Sequence, residues 1–382
     1  VAFVVIAGDL YDGDWRDFNT GIFFASEMGR LGQAGVRVVL LRGNHDAESQ
    51  ITKSLTLPAN VSQFSSRKPE TIRLEEFRVA LHGQSFPVRE VEDNLAAGYP
   101  PPVPGYLNIG VLHTALQGAA EHAAYAPCSL DELLARGYGY WALGHVHERA
   151  ILHESPWVVF PGNLQGRHAK ETGPKGAVVV SCQDGDVVAV DPVDFDVARW
   201  LHLRVDVTGA GSVDQVLEGV RRALSKAIDA GGGRLLAVRV SLAGATPLHG
   251  RLVREEARVR SDIQALGAEM GADSLWIEKV LVATEPEADA DGRRAGLGDE
   301  TAGELERMLA EAPADEALRA EMRQAFAALL SRLPAEMEIE ADGGPLGLLK
   351  QQREADWIRE AAPQLVARLL ARGETRDADP KS

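Results

Sequence analysis

The chain has 382 residues, 45% hydrophobic and 25% charged, and carries a formal net charge of −16. That length allows two or more domains with sizeable cores, and the acidic balance excludes a generally basic nucleic-acid coat, although cations bound at a site reverse the local sign and leave a phosphate-bearing substrate open. Two cysteines cannot build a disulfide framework, no apolar run reaches membrane-spanning length and no basic-plus-apolar leader opens the chain, so a cytoplasmic, reducing setting is expected.

Val1 opens directly on VAFVVIAGD, already a core-strand pattern, which reads as a chain lacking an upstream segment. A helical stretch over 18–31 and then VRVVLL complete a β-α-β alternation that points to a parallel sheet. Val38, Val39, Leu40 and Leu41 do not alternate with polar residues, as expected of a strand covered on both faces. This strand runs straight into Arg-Gly-Asn-His-Asp, at the carboxyl end where open α/β sheets place their ligands. FRVALHG (77–83), LNIGVLHT (107–114) and YWALGHVHE (140–148) follow, each an apolar strand with a His among its last residues. WVVF precedes PGN, and AVVVSCQDGDVVAVD predicts a hairpin turning at Asp184 and Gly185.

After Trp200 the character changes. LHLRVDV, a helical run over 213–228 and LLAVRVSL predict a small β-α-β unit, followed by a charged stretch to Val282. EPEADADGRRAGLGDE (285–300) is acidic, Gly-containing and without periodicity, which reads as a linker. Beyond it, Leu318, Met322, Phe326, Leu329 and Leu330 recur at helical spacing, and a second amphipathic segment follows Trp357. The expected organisation is a catalytic α/β domain over 1–200, an accessory α/β domain over 201–284, the linker 285–300, and a helical partner-binding region over 301–382.

The chemistry rests on a set of residues. AGDLYD offers Asp9 at a strand end and Asp12 three residues on, GNHD offers Asn44 and His45, VLHT offers His113, and GHVH offers His145 and His147. Carboxylate, amide oxygen and imidazole together suit a borderline divalent ion such as Mn²⁺, Fe²⁺ or Zn²⁺, whereas an all-oxygen set would suit Mg²⁺ or Ca²⁺. His145 and His147 are two apart, so on an extended segment both would face one side. Two ions about 3.5 to 4 Å apart would then each take one imidazole, with Asp9 bridging them.

GDLYD, GNHD, VLHT and GHVH, in this order, resemble the calcineurin-like metallophosphoesterases. IAGDLYDGDWRDFNTGIFF, LHGQSF and FPGNLQGRHAKETGPKG are similar to the YhaO-type, SbcD-related DNA-repair exonuclease branch of that family. The likeness is close over 1–195 and only in outline beyond. Any one block is a weak signal; the four together are specific. The resemblance implies a four-layer α/β sandwich of two sheets flanked by helices, and two divalent ions, Mn²⁺ foremost. It implies that Asp9 bridges the ions, that Asn44, His113 and His145 complete one, and that His147 serves the other. His45 would face the scissile phosphate, with Asp12 orienting it. Apart from the resemblance, Arg167, His168 and Lys170 lie in a loop after WVVFPGN that either contacts substrate phosphate or is simply solvated. The family's first block, an Asp-x-His at the end of an earlier strand, is absent from the sequence, which keeps a full ligand set for one ion only; the chain is on that account expected to be inactive and poorly soluble. The implied function is a DNA exonuclease acting beside an SbcC-like coiled-coil ATPase, with a homodimer also allowed. A phosphodiesterase of small or cyclic nucleotides and a non-cleaving scaffold of the same fold remain as alternatives.

Overall fold

The computed structural model describes residues 1–11, 17–49, 55–116, 125–271, 273–287, 307–330, 345–359 and 361–362. The chain divides into two compact units, Val1–Trp200 and Leu201–Ser382. In the first, β1 (Phe3–Ile6), β2 (Arg37–Leu40) and β3 (Val61–Gln63) form a parallel sheet in the order β1-β2-β3. Between β1 and β2 runs α1 (Phe18–Gln33), whose first turn is capped by the Asp17 carboxylate accepting from the Asn19 backbone N–H. The apolar run Val38, Val39, Leu40 and Leu41 is buried throughout, as its lack of alternation predicts.

The second sheet of this unit holds β4 (Glu70–Leu74), β5 (Val79–Gly83), β6 (Leu107–His113), β7 (Tyr140–Gly144), β8 (Ala150–Glu154) and β9 (Trp157–Phe160), in the order β4-β5-β6-β7-β9-β8. The four inner strands are parallel, and β4 and β8 close the two edges antiparallel. Strand periodicity sends side chains to two faces. Leu81, Ile109, Val111 and Val159 share a core with Val39 and Leu41 of the first sheet, while Leu112, Trp141, Leu143 and Val158 pack outward against Ala96, Cys128 and Leu133. Leu133 belongs to the short helix α3 (Leu130–Leu134), and α1 lies against β2. Two stacked sheets with helices outside give the four-layer α/β sandwich. β10 (Gly176–Gln183) and β11 (Asp186–Asp194) form the expected hairpin, with Asp184 at φ 53° and Gly185 at φ 92° in its turn.

The second unit contains the three-stranded sheet β12-β13-β14, in which β12 (Ala198–Asp206) enters from the first unit and β13 (Leu235–Thr246) runs parallel to β14 (Leu275–Pro286). The helix α4 (Val213–Ala230) begins at Ser212, whose hydroxyl accepts from the Gln215 N–H, and it buries Val216, Val220 and Leu224 at four-residue spacing against Val238, Val240 and Leu242. The charged stretch before Val282 is ordered as α5 (His249–Arg254), α6 (Glu256–Gly271) and most of β14. Since β14 continues through Pro286, residues 285 and 286 are strand where the sequence suggested the start of a linker. The rest of that stretch, 288–300, lies outside the described residues, as do Leu305 and 363–370. In the helical region, α7 (Glu316–Leu330) places Phe326 with its ring centroid 5.7 Å from Trp357, and Arg323 pairs with the buried Glu354 at 3.1 Å. Among the described residues no helix is long and apolar enough to cross a membrane.

His82 shows how a strand-end histidine is used structurally. Its Nε2 lies 2.9 Å from Asn108 Oδ1 and its Nδ1 2.9 Å from Thr71 Oγ1, and its ring stacks on Tyr138 at 4.5 Å. Asn108 donates its amide to the carbonyls of Val103 and Tyr106, which turns Oδ1 toward His82 and selects the Nε2–H tautomer. Burial, aided by the Arg73 charge, pushes this imidazole below its ordinary pKa against the hydrogen bond to Asn108. Its contribution to stability is therefore complete above the unfolded value of about 6.5 and is lost as pH falls through the lower native value. Thermal unfolding followed from pH 8 down to pH 5 should show an acid-side loss of stability that is shallower in His82→Gln; parallel curves for the two proteins would remove His82 as its source.

Candidate metal centre

The parallel strands β1, β2, β6 and β7 bring their carboxyl ends to one place. Gly8 and Asp9 follow β1, Gly43 and Asn44 follow β2, β6 ends on His113, and β7 ends on Gly144 with His145 next. Two of these residues are held in the left-handed region that side chains other than glycine rarely occupy, Asp9 at φ 53° and His145 at φ 97°. Each such residue costs of the order of 1–3 kcal/mol and persists only where its surroundings fix it. The backbones also approach too closely for larger residues: a Cβ on Gly43 would meet the Asp9 carboxylate, and one on Gly144 would meet the Ala7 carbonyl oxygen.

Asp46, the last residue of GNHD, ties the first two strand ends together. Its Oδ1 accepts from the backbone N–H groups of Leu10 at 2.9 Å and Tyr11 at 3.1 Å, and its Oδ2 from Gly43 at 3.0 Å. Burial and the neighbouring Asp9 charge push this carboxyl up, partly offset by the three N–H donors. The same turn starts the short helix α2 (Asn44–Glu48), and the His45 backbone N–H donates to Asp9 Oδ1 at 3.1 Å.

His113 is completely buried and identifies what the cluster needs. Its Nδ1 lies 2.9 Å from the Ala7 carbonyl, which can only accept, so Nδ1 carries a hydrogen. In the neutral ring Nε2 is then a bare lone pair, yet it faces Asn44 Oδ1 at 2.8 Å and Asp9 Oδ2 at 3.2 Å. Asn44 Oδ1 is also 3.2 Å from His145 Nδ1. Ligand atoms of Asp9, His113 and His145 all lie within 4.8 Å of one another. Converging lone pairs around a buried point are stable only with a cation among them, either a proton or a metal ion, and this mixed N/O set fits a borderline divalent ion. Burial works to raise the Asp9 carboxyl, but its hydrogen bond to His113 and the charges of His113 and His45 hold it below the ordinary value. The carbonyl behind His113 also fixes the ring in the way outer hydrogen bonds orient metal-binding histidines.

Of the residues named from the sequence, Asp9, Asn44, His113 and His145 thus meet, and His45 adjoins them. His147 is placed differently from expectation. Strand β7 stops at Gly144 and the backbone turns at His145, so the two histidines of GHVH do not share one face of an extended segment. Ala7 passes so close to Gly144 that a side chain there would meet its carbonyl oxygen. His147 Nδ1 lies 2.7 Å from Glu171 Oε1. Arg167 and His168 gather on the same carboxylate, at 3.6 Å and 3.7 Å. Glu171 sits in the quoted stretch GRHAKETG but was not singled out; its one sequence signal is that it is the sole acid within that loop. Asp12 lies outside the described residues.

Similarity to known proteins agrees with this geometry. The family description "Calcineurin-like phosphoesterase" matches residues 1–149, and "Metallophosphoesterase YhaO, middle domain" matches residues 200–285. Residues 1–149 are thus similar to calcineurin-like phosphoesterases, and residues 200–285 to the middle domain of YhaO. The chain is 36% identical over 251 residues to the uncharacterized metallophosphoesterase YhaO of Bacillus subtilis, covering 65% of this chain and 61% of that protein. It is 26% identical over 340 residues to the DNA double-strand break repair protein Mre11 of Methanopyrus kandleri, covering 80% and 65%. A Mre11 of Sulfurisphaera tokodaii is 22% identical over 211 residues, covering 51% and 53%. The chain therefore spans less than two thirds of the length of each of these relatives. Metallophosphoesterases are hydrolases that use divalent metal ions, which is the chemistry the converging donor set fits.

Asp46 touches none of the ligand atoms described above, yet it holds the loop that carries Asp9. Asp46→Asn would turn an amide N–H₂ toward at least one of its three N–H partners, and leaving one buried donor unsatisfied costs about 1–3 kcal/mol. Urea unfolding should show a loss of that size, and calorimetric titration should show weaker Mn²⁺ binding. Unchanged stability and affinity together would show that the Asp9 loop does not depend on this tether.

Proposed function

We propose that this metallophosphoesterase is a phosphodiesterase using two divalent ions, Mn²⁺ in the first instance, and that its substrate is DNA, digested as an exonuclease in DNA repair. The observation that carries the reading is the convergence of Asp9, Asn44, His113 and His145 around one buried point. These four would hold one ion, and Asp9 with His147 would contribute to a second. When bound, the ions supply an activated water and balance the charge that develops on phosphate. The chain's own residues do the rest. His45, anchored through its backbone to Asp9, is assigned the protonation of the leaving oxygen, and Asp12 its orientation. Arg167 and His168, both about half exposed beside His147, are assigned contact with the substrate backbone. DNA is favoured over a small diester because two of the relatives are named as DNA double-strand break repair proteins and because the second unit is more than a small-molecule hydrolase requires.

The test separates ligation from catalysis. With Mn²⁺, protein that carries the Asp-x-His block expected of the family should degrade end-labelled duplex DNA, and EDTA should stop it. His45→Ala should lower the rate by about 10²–10⁴-fold while metal content stays near normal, whereas His113→Ala should lose metal as well. Equal metal loss in both variants refutes the assignment of roles. Hydrolysis of cyclic nucleotides without DNA cleavage would transfer the enzyme to the small-substrate class, and bound metal without any hydrolysis would leave a scaffold.

The partner proposed is an SbcC-like coiled-coil ATPase docking on residues 301–382. Supporting this, α7 and the segment around Trp357 associate through Phe326 and through Arg323 with Glu354, a small helical assembly of its own. Removing residues 301–382 should spare hydrolysis of a small diester and abolish co-purification with the ATPase; retained co-purification rules the docking site out.

A further inference from the structure

The loop that follows β9 grips His147 from three sides. The backbone carbonyl of His147 accepts from the Asn163 N–H at 3.3 Å and from the Lys175 ammonium at 3.2 Å, and Lys175 is itself 7% exposed. A Cβ on Gly162 would lie 3.0 Å from that same carbonyl, so the loop backbone passes directly against it. The ring is held by Glu171, whose Oε1 lies 2.7 Å from Nδ1, while the Arg167 guanidinium lies farther from the same nitrogen at 3.4 Å. Glu171 is in turn fixed through its other oxygen, which accepts from the Asn163 side-chain amide and from the Arg167 backbone N–H, both at 2.8 Å. One carboxylate therefore determines both the ring of His147 and the path of the loop that carries Arg167 and His168.

We propose that Glu171 is a positioning residue that locks His147 as the Nδ1–H tautomer, presents its Nε2 lone pair to a divalent cation, and couples that presentation to the loop carrying Arg167 and His168. The inference rests on the metal-centre reading for His147 but adds a residue and a function to it. A carboxylate can accept at both oxygens and so serves the imidazole and the two N–H donors together. No neutral side chain of the same length does this, because an amide would turn a donor toward either Asn163 and Arg167 or His147. The coupling follows from the shared group: a shift of the ring moves Oε1, and with it Oε2 and the turn at Arg167. Outer hydrogen bonds of this kind change metal affinity by about 10–100-fold.

The experiment reads the histidine directly, in the whole protein, with Zn²⁺ as a diamagnetic probe. Long-range ¹⁵N–¹H spectra of the metal-free protein should place His147 in the Nδ1–H form, and Glu171→Ala should convert it to a mixture of tautomers. Glu171→Asp, which keeps the charge on a shorter stem, should restore the Nδ1–H form at least in part. On adding Zn²⁺, the Nε2 resonance of His147 should move at a concentration about 10–100-fold higher in Glu171→Ala than in the wild type, and the Arg167 backbone amide should move with it. The His113 resonance should respond equally in both, which controls for folding. A His147 tautomer unchanged by Glu171→Ala overturns the positioning role. A tautomer that changes while Nε2 of the wild type ignores Zn²⁺, with His113 responding, leaves the lock in place and overturns the metal reading of His147 and with it the proposal as a whole. An Arg167 amide that stays still while Nε2 moves overturns the coupling.

Discussion

The contact on which the site depends is the hydrogen bond from His113 Nδ1 to the Ala7 carbonyl. It joins the last residue of β6, in one sheet, to the residue just past β1, in the other, and so sets the distance between the two sheets at their carboxyl ends. By occupying Nδ1 it also forces the remaining nitrogen to confront Asn44 and Asp9. The apolar core beneath, where Val39 and Leu41 meet Leu81, Val111 and Val159, keeps the strands too rigid to open and relieve that confrontation. Packing energy is in this way converted into a preformed demand for positive charge, with no rearrangement left for the ligand to drive.

The left-handed backbone at Asp9 and at His145 belongs to the same economy. Neither residue has a glycine's freedom, and neither conformation would survive in an isolated loop. Asp9 is held by Asp46 gripping the two residues that follow it, and His145 follows the point where Ala7 crosses close to Gly144. Strain is concentrated where ligand atoms must be aimed, and at Asp9 the compensating hydrogen bonds come from Asp46, which is outside the ligand set.

The strand ends were legible in the sequence because a buried parallel strand has a plain signature, an unbroken apolar run, and a polar residue at its carboxyl end is conspicuous against it. His113 at the end of LNIGVLH and Asn44 after VVLLRG are found this way. The supporting carboxylates were not legible. Asp46 acts on residues 35 and 36 positions away, and Glu171 on a histidine 24 positions away, so nothing local distinguishes either from an ordinary surface acid. GHVH misled in another way: alternate spacing implies one face only while the backbone stays extended, and the backbone leaves the strand at His145. In the second unit the alternation of LWIEKVLV is a fair strand signal, but it is embedded in charged residues because one face of that sheet carries Trp276 and the Arg239–Glu278 pair while the other packs on helices.

The two halves of the proposed ion pair are built on unequal foundations. Asn44 and His113 are 3% and 0% exposed and sit at strand ends fixed by the main core. The side chain of His147 is 35% exposed and owes its placement to a loop. Burial makes the first position costly to leave without a cation, since a desolvated carboxylate and bare imidazole nitrogen have no water to turn to. The second position is partly open to solvent and lies beside Glu171, on which the Arg167 guanidinium and the His168 imidazole also gather. If two ions bind as proposed, the first would be held as part of the fold and the second by a more exposed histidine beside Arg167 and His168. The net −16 of the sequence does not weigh against the proposed substrate, because cations bound at a site would set the charge there locally.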